Sequence, residues 1–210
     1  MLELKQFRKC YGRQVVLEIP DARIPSGVSW IKGKNGSGKS TFFRCAAGIS
    51  PFTGDLILNG KFHPRKHPVE FRMRVNYSEA EPLFPGFLCG REILEFVASC
   101  KKSTNEELET LISRLGLSLY FENPCGTYSS GMSKKLSLAM AFLGHPELII
   151  LDEPFITLDS ESCDNLRHMI ASVRDSGCGV LISSHPEFGQ GNLGISQTFE
   201  IREGQLWNLS

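Results

Sequence analysis

The 210-residue sequence lacks any apolar run near the roughly 20 residues that a membrane-crossing helix needs. Its longest, around Leu148-Ile149-Ile150-Leu151 and Val180-Leu181-Ile182, are far shorter. An apolar stretch is also missing from the first dozen residues, MLELKQFRKCYG, which alternate apolar and charged residues and do not read as a signal peptide. No C-x-x-C pair occurs among Cys10, Cys45, Cys89, Cys100, Cys125, Cys163 and Cys178, and their number is odd. Neither a disulfide framework nor a zinc site is expected, and seven free thiols fit a reducing cytosol. There is no surplus of either charge: 23 Lys and Arg stand against 23 Asp and Glu. That balance excludes the class of proteins that bind nucleic acid through bulk positive charge. Internal repeats, low-complexity tracts and coiled-coil heptads are absent as well. What remains is an ordinary globular composition, 41% hydrophobic and 22% charged, sized for one core.

Periodicity predicts an α/β fold. Short strands are expected at Leu2/Leu4, at Val15/Leu17/Ile19, at Val28/Trp30 and at Leu56-Ile57-Leu58 before the turn pair Asn59-Gly60. Residues 39–47 read as a helix with Gly48 just past its end. Helices follow at 92–101 and 105–115; in the second, Leu108, Leu111, Ile112 and Leu115 fall on one face. Thr104 with Glu107, or Ser103 with Glu106, has capping-box spacing, and Gly116 stops that helix. The apolar runs 148–151 and 180–183 suit parallel strands covered on both faces. A hairpin, 198–202 and 205–209, turns at Glu203-Gly204.

Two local motifs carry chemistry. The first is Gly33-Lys34-Asn35-Gly36-Ser37-Gly38-Lys39-Ser40-Thr41, of the form G-x-x-x-x-G-K-S. Its glycines let backbone N–H groups turn inward around phosphate oxygens, and the following helix adds a favourable dipole. Lys39 is placed to reach the β- and γ-phosphates and the Ser40 hydroxyl to ligate Mg²⁺. The second is Leu148-Ile149-Ile150-Leu151-Asp152-Glu153-Pro154, two acids closing an apolar strand. Asp152 has the position of a carboxylate that organises Mg²⁺ through its water shell, and Glu153 that of one that polarises a water.

With these motifs in hand, the sequence resembles the ATP-binding subunits of ABC transporters over nearly its whole length, in the exporter-type branch. Tyr11-Gly12-x-x-Val15-Val16-Leu17 resembles the segment whose aromatic ring stacks on adenine. Tyr128-Ser129-Ser130-Gly131-Met132 stands where the family has Leu-Ser-Gly-Gly-Gln, and Phe155-Ile156-Thr157-Leu158-Asp159 where it has its D-loop. Ser183-Ser184-His185 stands where it has a switch histidine. Three positions depart from the pattern. Ser130 replaces a glycine, Thr157 replaces the glycine preferred in the D-loop, and Ala80 aligns with the glutamine of the Q-loop. Alanine neither ligates metal nor holds a water, so Glu79 or Glu81 is the candidate substitute.

The resemblance implies a P-loop NTPase core of ABC type, RecA-like, with an N-terminal antiparallel β subdomain and an inserted helical subdomain. Residues 1–84 and 136–210 would form the core and β part, and 85–135 the helical part. It implies ATP and Mg²⁺ as ligands, with Tyr11 and residues Asn35, Gly36, Ser37, Gly38, Lys39, Ser40 and Thr41 on the nucleotide. Glu153, His185 and Lys39 would carry catalysis, Ser40 and Asp152 the metal. Ser129, Gly131 and Asp159 would act on the nucleotide of a second ATP-binding subunit, identical or not. Transmembrane permease subunits would complete the assembly, with this chain on the cytoplasmic face of the membrane. Two further readings stay open: a soluble ABC ATPase outside transport, and a weakly hydrolysing regulatory subunit of a heterodimer, suggested by Ala80. The stretch 61–74, with five Lys or Arg and two His against Glu70, is expected to be a solvated loop rather than a nucleic-acid surface.

Overall fold

The computed structural model describes residues 1–184 and 193–209. Two sheets organise the chain. An antiparallel sheet is built from β1 (Leu2–Tyr11), β2 (Gln14–Ile24) and β4 (Thr53–Leu58), in the order β2-β1-β4. The larger sheet contains β3 (Val28–Lys32), β5 (Val75–Ser78), β6 (Leu148–Asp152), β7 (Gly179–Ser183), β8 (Ile195–Arg202) and β9 (Gln205–Asn208). Its order is β5-β6-β7-β3-β8-β9, parallel throughout except for β9 against β8. Strands β6 and β7 are buried at every residue, their apolar runs 148–151 and 180–182 suiting strands covered on both faces.

Alternate residues of these strands face two apolar clusters. Leu148, Ile150, Leu181 and Ile31 meet β1, β2, β4 and helix α1 (Lys39–Ala46), where Phe7, Phe42, Phe43 and Phe52 form a chain of ring contacts. Ile149, Leu151, Val180 and Ile182 face the other way, onto helices α3 (Gly90–Lys101), α4 (Asn105–Arg114), α5 (Ser130–Phe142) and α6 (Ser160–Asp175). The helices between β5 and β6 therefore share one continuous apolar cluster with the sheet. Among the described residues, no helix is long and apolar enough to cross a membrane.

Local chemistry sets the element ends. Gly48 and Gly116 adopt left-handed φ values of 71° and 64° just past α1 and α4. Of the two capping boxes the sequence allows at α4, Thr104 forms one: its hydroxyl accepts from Glu107 N–H at 3.2 Å and its own N–H donates to Glu107 at 3.0 Å.

The stretch 61–74 differs from expectation. It contains a short helix, α2 (Pro68–Arg74), begun by proline and anchored by the single buried residue Phe71. Several of its basic side chains are committed internally: Arg65 donates to Gly54 O, Arg74 pairs with Glu147 at 2.9 Å, and His63 lies 3.1 Å from Asp55.

All seven cysteines are free. Burial raises the thiol pKa of Cys45, Cys125, Cys163 and Cys178, to about 11 for Cys45 and about 12 for Cys178. Only thiolates attack disulfide reagents. At pH 8 an aromatic disulfide reagent should label Cys10, Cys89 and Cys100 in the native chain and reach the other four only on unfolding. Seven fast thiols in the native protein would contradict this packing.

Candidate functional site

The site lies at the carboxyl ends of three adjacent parallel strands, β6, β7 and β3, where open α/β sheets place their ligands. β3 runs into the glycine loop 33–38, which opens α1. Gly33 has φ 154°, and a Cβ there would lie 2.4 Å from Ser37 Oγ and 2.8 Å from Ile201 O. Gly38 precedes α1 with φ 105°, and among the described residues no side chain caps the helix and no acid stands in its first turn. The positive end of α1 is thus uncompensated, as an anion site requires. Lys39 Nζ folds back across the loop, donating to Gly33 O at 2.8 Å and Lys34 O at 3.3 Å.

β6 ends in the two acids. Ser183, the residue paired with Asp152 at the end of β7, orients both. Its hydroxyl donates to Asp152 Oδ1 at 2.6 Å. Its oxygens accept from Glu153 N–H, Oγ at 3.0 Å and O at 3.1 Å. Glu153 sits at φ 46°, a left-handed conformation that no glycine relieves and that turns its side chain away from the strand direction. Asp152 is 1% exposed. Among the described residues, Asp152 Oδ2 and Glu153 Oε2 are buried without a hydrogen-bond partner.

A cleft of about 390 Å³ joins these parts; Tyr11, Val16, Asn35, Gly36, Gly38, Lys39, Ser40, Thr41, Asp152 and Glu153 line it. Tyr11 is 54% exposed at its mouth, its ring under Lys9 Nζ at 4.5 Å. The donor set fits magnesium: the Ser40 hydroxyl is a hard ligand of the kind this ion takes alongside phosphate oxygens. The Asp152 oxygen without a hydrogen-bond partner among the described residues can accept from a water of its shell. Among the described residues no group of three His, Cys, Asp or Glu gathers as a metal cage, so the site offers no all-protein ligand set.

Other candidate residues lie outside this cleft. Ser129 caps α5, its hydroxyl accepting from Met132 N–H at 3.2 Å. Asp159 caps α6 through Ser162 N–H at 2.7 Å and pairs with Lys135 at 2.7 Å; those two bonds hold its carboxyl well below the usual range. Gly131 faces the D-loop, where a Cβ would lie 2.7 Å from Thr157 O. Glu79 points to Arg44 of α1 at 3.4 Å, and Glu81 is exposed. His185 lies outside the described residues.

Thr157 takes φ 67°, so the D-loop has the backbone of a glycine with a β-branched side chain on it. Thr157→Gly should raise stability by about 1 kcal/mol, about 2–4 °C in melting temperature for a chain of this size. A melting temperature that does not rise would remove strain as the description of this turn.

Two contributors were not singled out from sequence. Ser183 appeared only as part of a strand end, and Lys134 not at all. Lys134 is 1% exposed and donates to Glu79 O at 2.6 Å and to Asp152 O at 3.3 Å. Burial lowers its pKa to about 8, against the raising effect of Asp152, Glu153, Glu81 and Glu79.

Comparison with known proteins shows the family of the chain. The sequence profile described as "ABC transporter" matches residues 24–156. The lantibiotic transport ATP-binding protein SrtF of Streptococcus pyogenes is 30% identical over 187 residues, covering 88% of this chain and 80% of that protein. The solved ATP-binding subunit of an ABC transporter superposes with a TM-score of 0.88 at 25% identity, over all of this chain and 90% of the other. A dimeric ATP-binding cassette, in a post-hydrolysis state bound to ADP and Pi, shares the fold with a TM-score of 0.81 at 19% identity, over 100% of this chain and 99% of that one. The chain belongs to the ABC transporter family, as one of its ATP-binding subunits.

Proposed function

We propose that this chain binds ATP in the cleft between the glycine loop and Glu153, hydrolyses it in a pair of ATP-binding subunits, and thereby powers substrate movement through separate transmembrane subunits. The observation that carries the reading is the convergence of Tyr11, the 33–41 loop and the Asp152-Glu153 pair on one cleft. The ring of Tyr11 packs beside the base. The loop N–H groups and Lys39 hold the β- and γ-phosphates. Ser40, and Asp152 through a water, would hold magnesium, which when bound would neutralise charge on the phosphoryl oxygens. Glu153 takes the proton of the attacking water as its oxygen bonds the γ-phosphorus and the bond to the bridging oxygen breaks. His185 contacts the γ-phosphate by resemblance to the family.

Ser129, Gly131 and Asp159 lie away from this cleft, at the N-terminal ends of α5 and α6, and so act on the nucleotide of the second subunit. The Ser129 hydroxyl and the N-terminal end of α5 supply the anion contact there. Leu83, Phe87, Phe96 and Leu119 are exposed apolar side chains, suited to contact with other proteins.

Co-expression with adjacent membrane-protein genes tests the transport arm. The chain should co-purify with membranes in a complex that ATP and detergent do not dissociate from its partner. A chain that stays without a partner contradicts transport, while ATPase assays of the purified chain test hydrolysis separately.

A further inference from the structure

Strand β5 and helix α5 are joined by polar bonds along their shared length. Asn76 Nδ2 donates to Ala141 O and Leu143 O, both at 2.9 Å. The hydroxyls of Ser78 and Ser137 lie 2.9 Å apart. Lys134 Nζ completes the series at Glu79 O, 2.6 Å away. The spacing suits the two geometries: the step from 76 to 79 covers about 10 Å of strand, and that from 141 to 134 about 10.5 Å of helix.

Lys134 does more than close this ladder, because its second bond reaches Asp152 O. That carbonyl belongs to the same peptide group as Glu153 N–H, which Ser183 holds from the opposite side. The peptide before Glu153 is therefore clamped at both its polar atoms, and it is the peptide that leads into the strained φ of 46°. A backbone conformation of that kind persists only where its surroundings over-determine it. Burying an ammonium costs several kcal/mol before its bonds are counted, so stability alone favours an apolar side chain of the same length.

We propose that Lys134 is a positioning residue for ATP hydrolysis: its ammonium fixes the Asp152–Glu153 peptide and the Glu79 carbonyl just past β5 to α5, the helix headed by Ser129 and Gly131. With alanine at position 80, the segment after β5 is tied to the carboxylates through main-chain carbonyls and Lys134. Movement of the α5 N-terminus on meeting a second subunit is thereby transmitted to the orientation of Glu153. The proposal rests on the ATPase reading above.

The test uses the full chain with Lys134→Met, which keeps the stem and removes the donors, and Lys134→Gln, which restores an amide donor. Turnover, KM for ATP, melting temperature and amide exchange at Glu153 are measured together. Lys134→Met should keep or raise the melting temperature while kcat falls about tenfold to hundredfold and KM stays within about threefold. Exchange at the Glu153 amide, whose N–H donates to Ser183, should quicken by about tenfold. Lys134→Gln should recover turnover to within about threefold of the starting chain.

Unchanged kcat in Lys134→Met, unchanged exchange at the Glu153 amide, or Lys134→Gln below a tenth of the original turnover each overturns the proposal. The last of these applies even if the methionine variant does not fold. If the unsubstituted chain shows no turnover, the hydrolysis reading fails instead. Exchange at the Glu153 amide then decides the clamp by itself, its quickening supporting the clamp and its absence overturning it.

Discussion

Glu153→Gln is expected to lower ATP turnover by about 10²–10³-fold while leaving KM within about threefold. The carboxamide matches the carboxylate in size, so the substitution removes little but the charge and the capacity to accept a proton. Nothing in the packing opposes the exchange. Glu153 is fixed through its main-chain N–H by Ser183, and Glu153 Oε2 is buried without a partner among the described residues. An oxygen held in that way is available to a water at the γ-phosphate. It also repels phosphate oxygens electrostatically, so the neutral variant should hold ATP at least as well. Because the interaction is made as the water attacks, the loss falls on kcat and on kcat/KM together. Phosphate release at saturating ATP checks this. Turnover within threefold of the starting chain would move the proton acceptor to another residue.

Lys39→Ala is expected to weaken ATP binding by about 10²-fold, and turnover at low ATP by the same factor. Lys39 already spends its ammonium on Gly33 O and Lys34 O, so the relevant quantity is the difference between two carbonyls and two charged phosphate oxygens. A phosphate oxygen meets the ammonium with a full opposite charge where a carbonyl offers only a dipole, and a loss of about 2–3 kcal/mol follows. The side chain lies at the surface of the loop and packs in neither apolar cluster, so the melting temperature should move by less than about 2 °C. Calorimetric titration with ATP and Mg²⁺, beside a thermal melt, separates the two effects. An affinity within threefold would place the phosphates elsewhere.

The motifs that sequence reveals are those whose parts are contiguous. The 33–41 loop and the 148–153 strand each carry their chemistry in consecutive residues, so spacing alone exposes them. Likewise the turn pairs Asn59-Gly60 and Glu203-Gly204 announce themselves, and all four residues take positive φ as such turns require. The clamp on Glu153 has no such trace. Ser183 lies 31 residues from Asp152, and Lys134 lies 18 from Asp152 and 55 from Glu79. Only the order β6-β7 in the sheet and the packing of α5 on β5 bring them together. Helix α2 escaped for a different reason. With one buried residue, Phe71, it has no apolar stripe, and its periodicity is lost among basic side chains. Those side chains in turn find partners on other elements, as Arg74 does over the Phe62 ring at 3.8 Å and at Glu147. Position 157 gave a partial signal: threonine at a glycine position marked a departure, and the left-handed backbone shows its physical content.

The central claim, that one cleft gathers Tyr11, the glycine loop and the paired acids around ATP, has a direct test in photolabelling. The purified chain is irradiated with 8-azido-ATP and Mg²⁺, digested, and the modified peptide located by mass spectrometry. The account predicts an adduct on the segment around Tyr11, suppressed by unlabelled ATP and lost in Lys39→Ala. Labelling on any other segment, or labelling that excess ATP does not suppress, would contradict it.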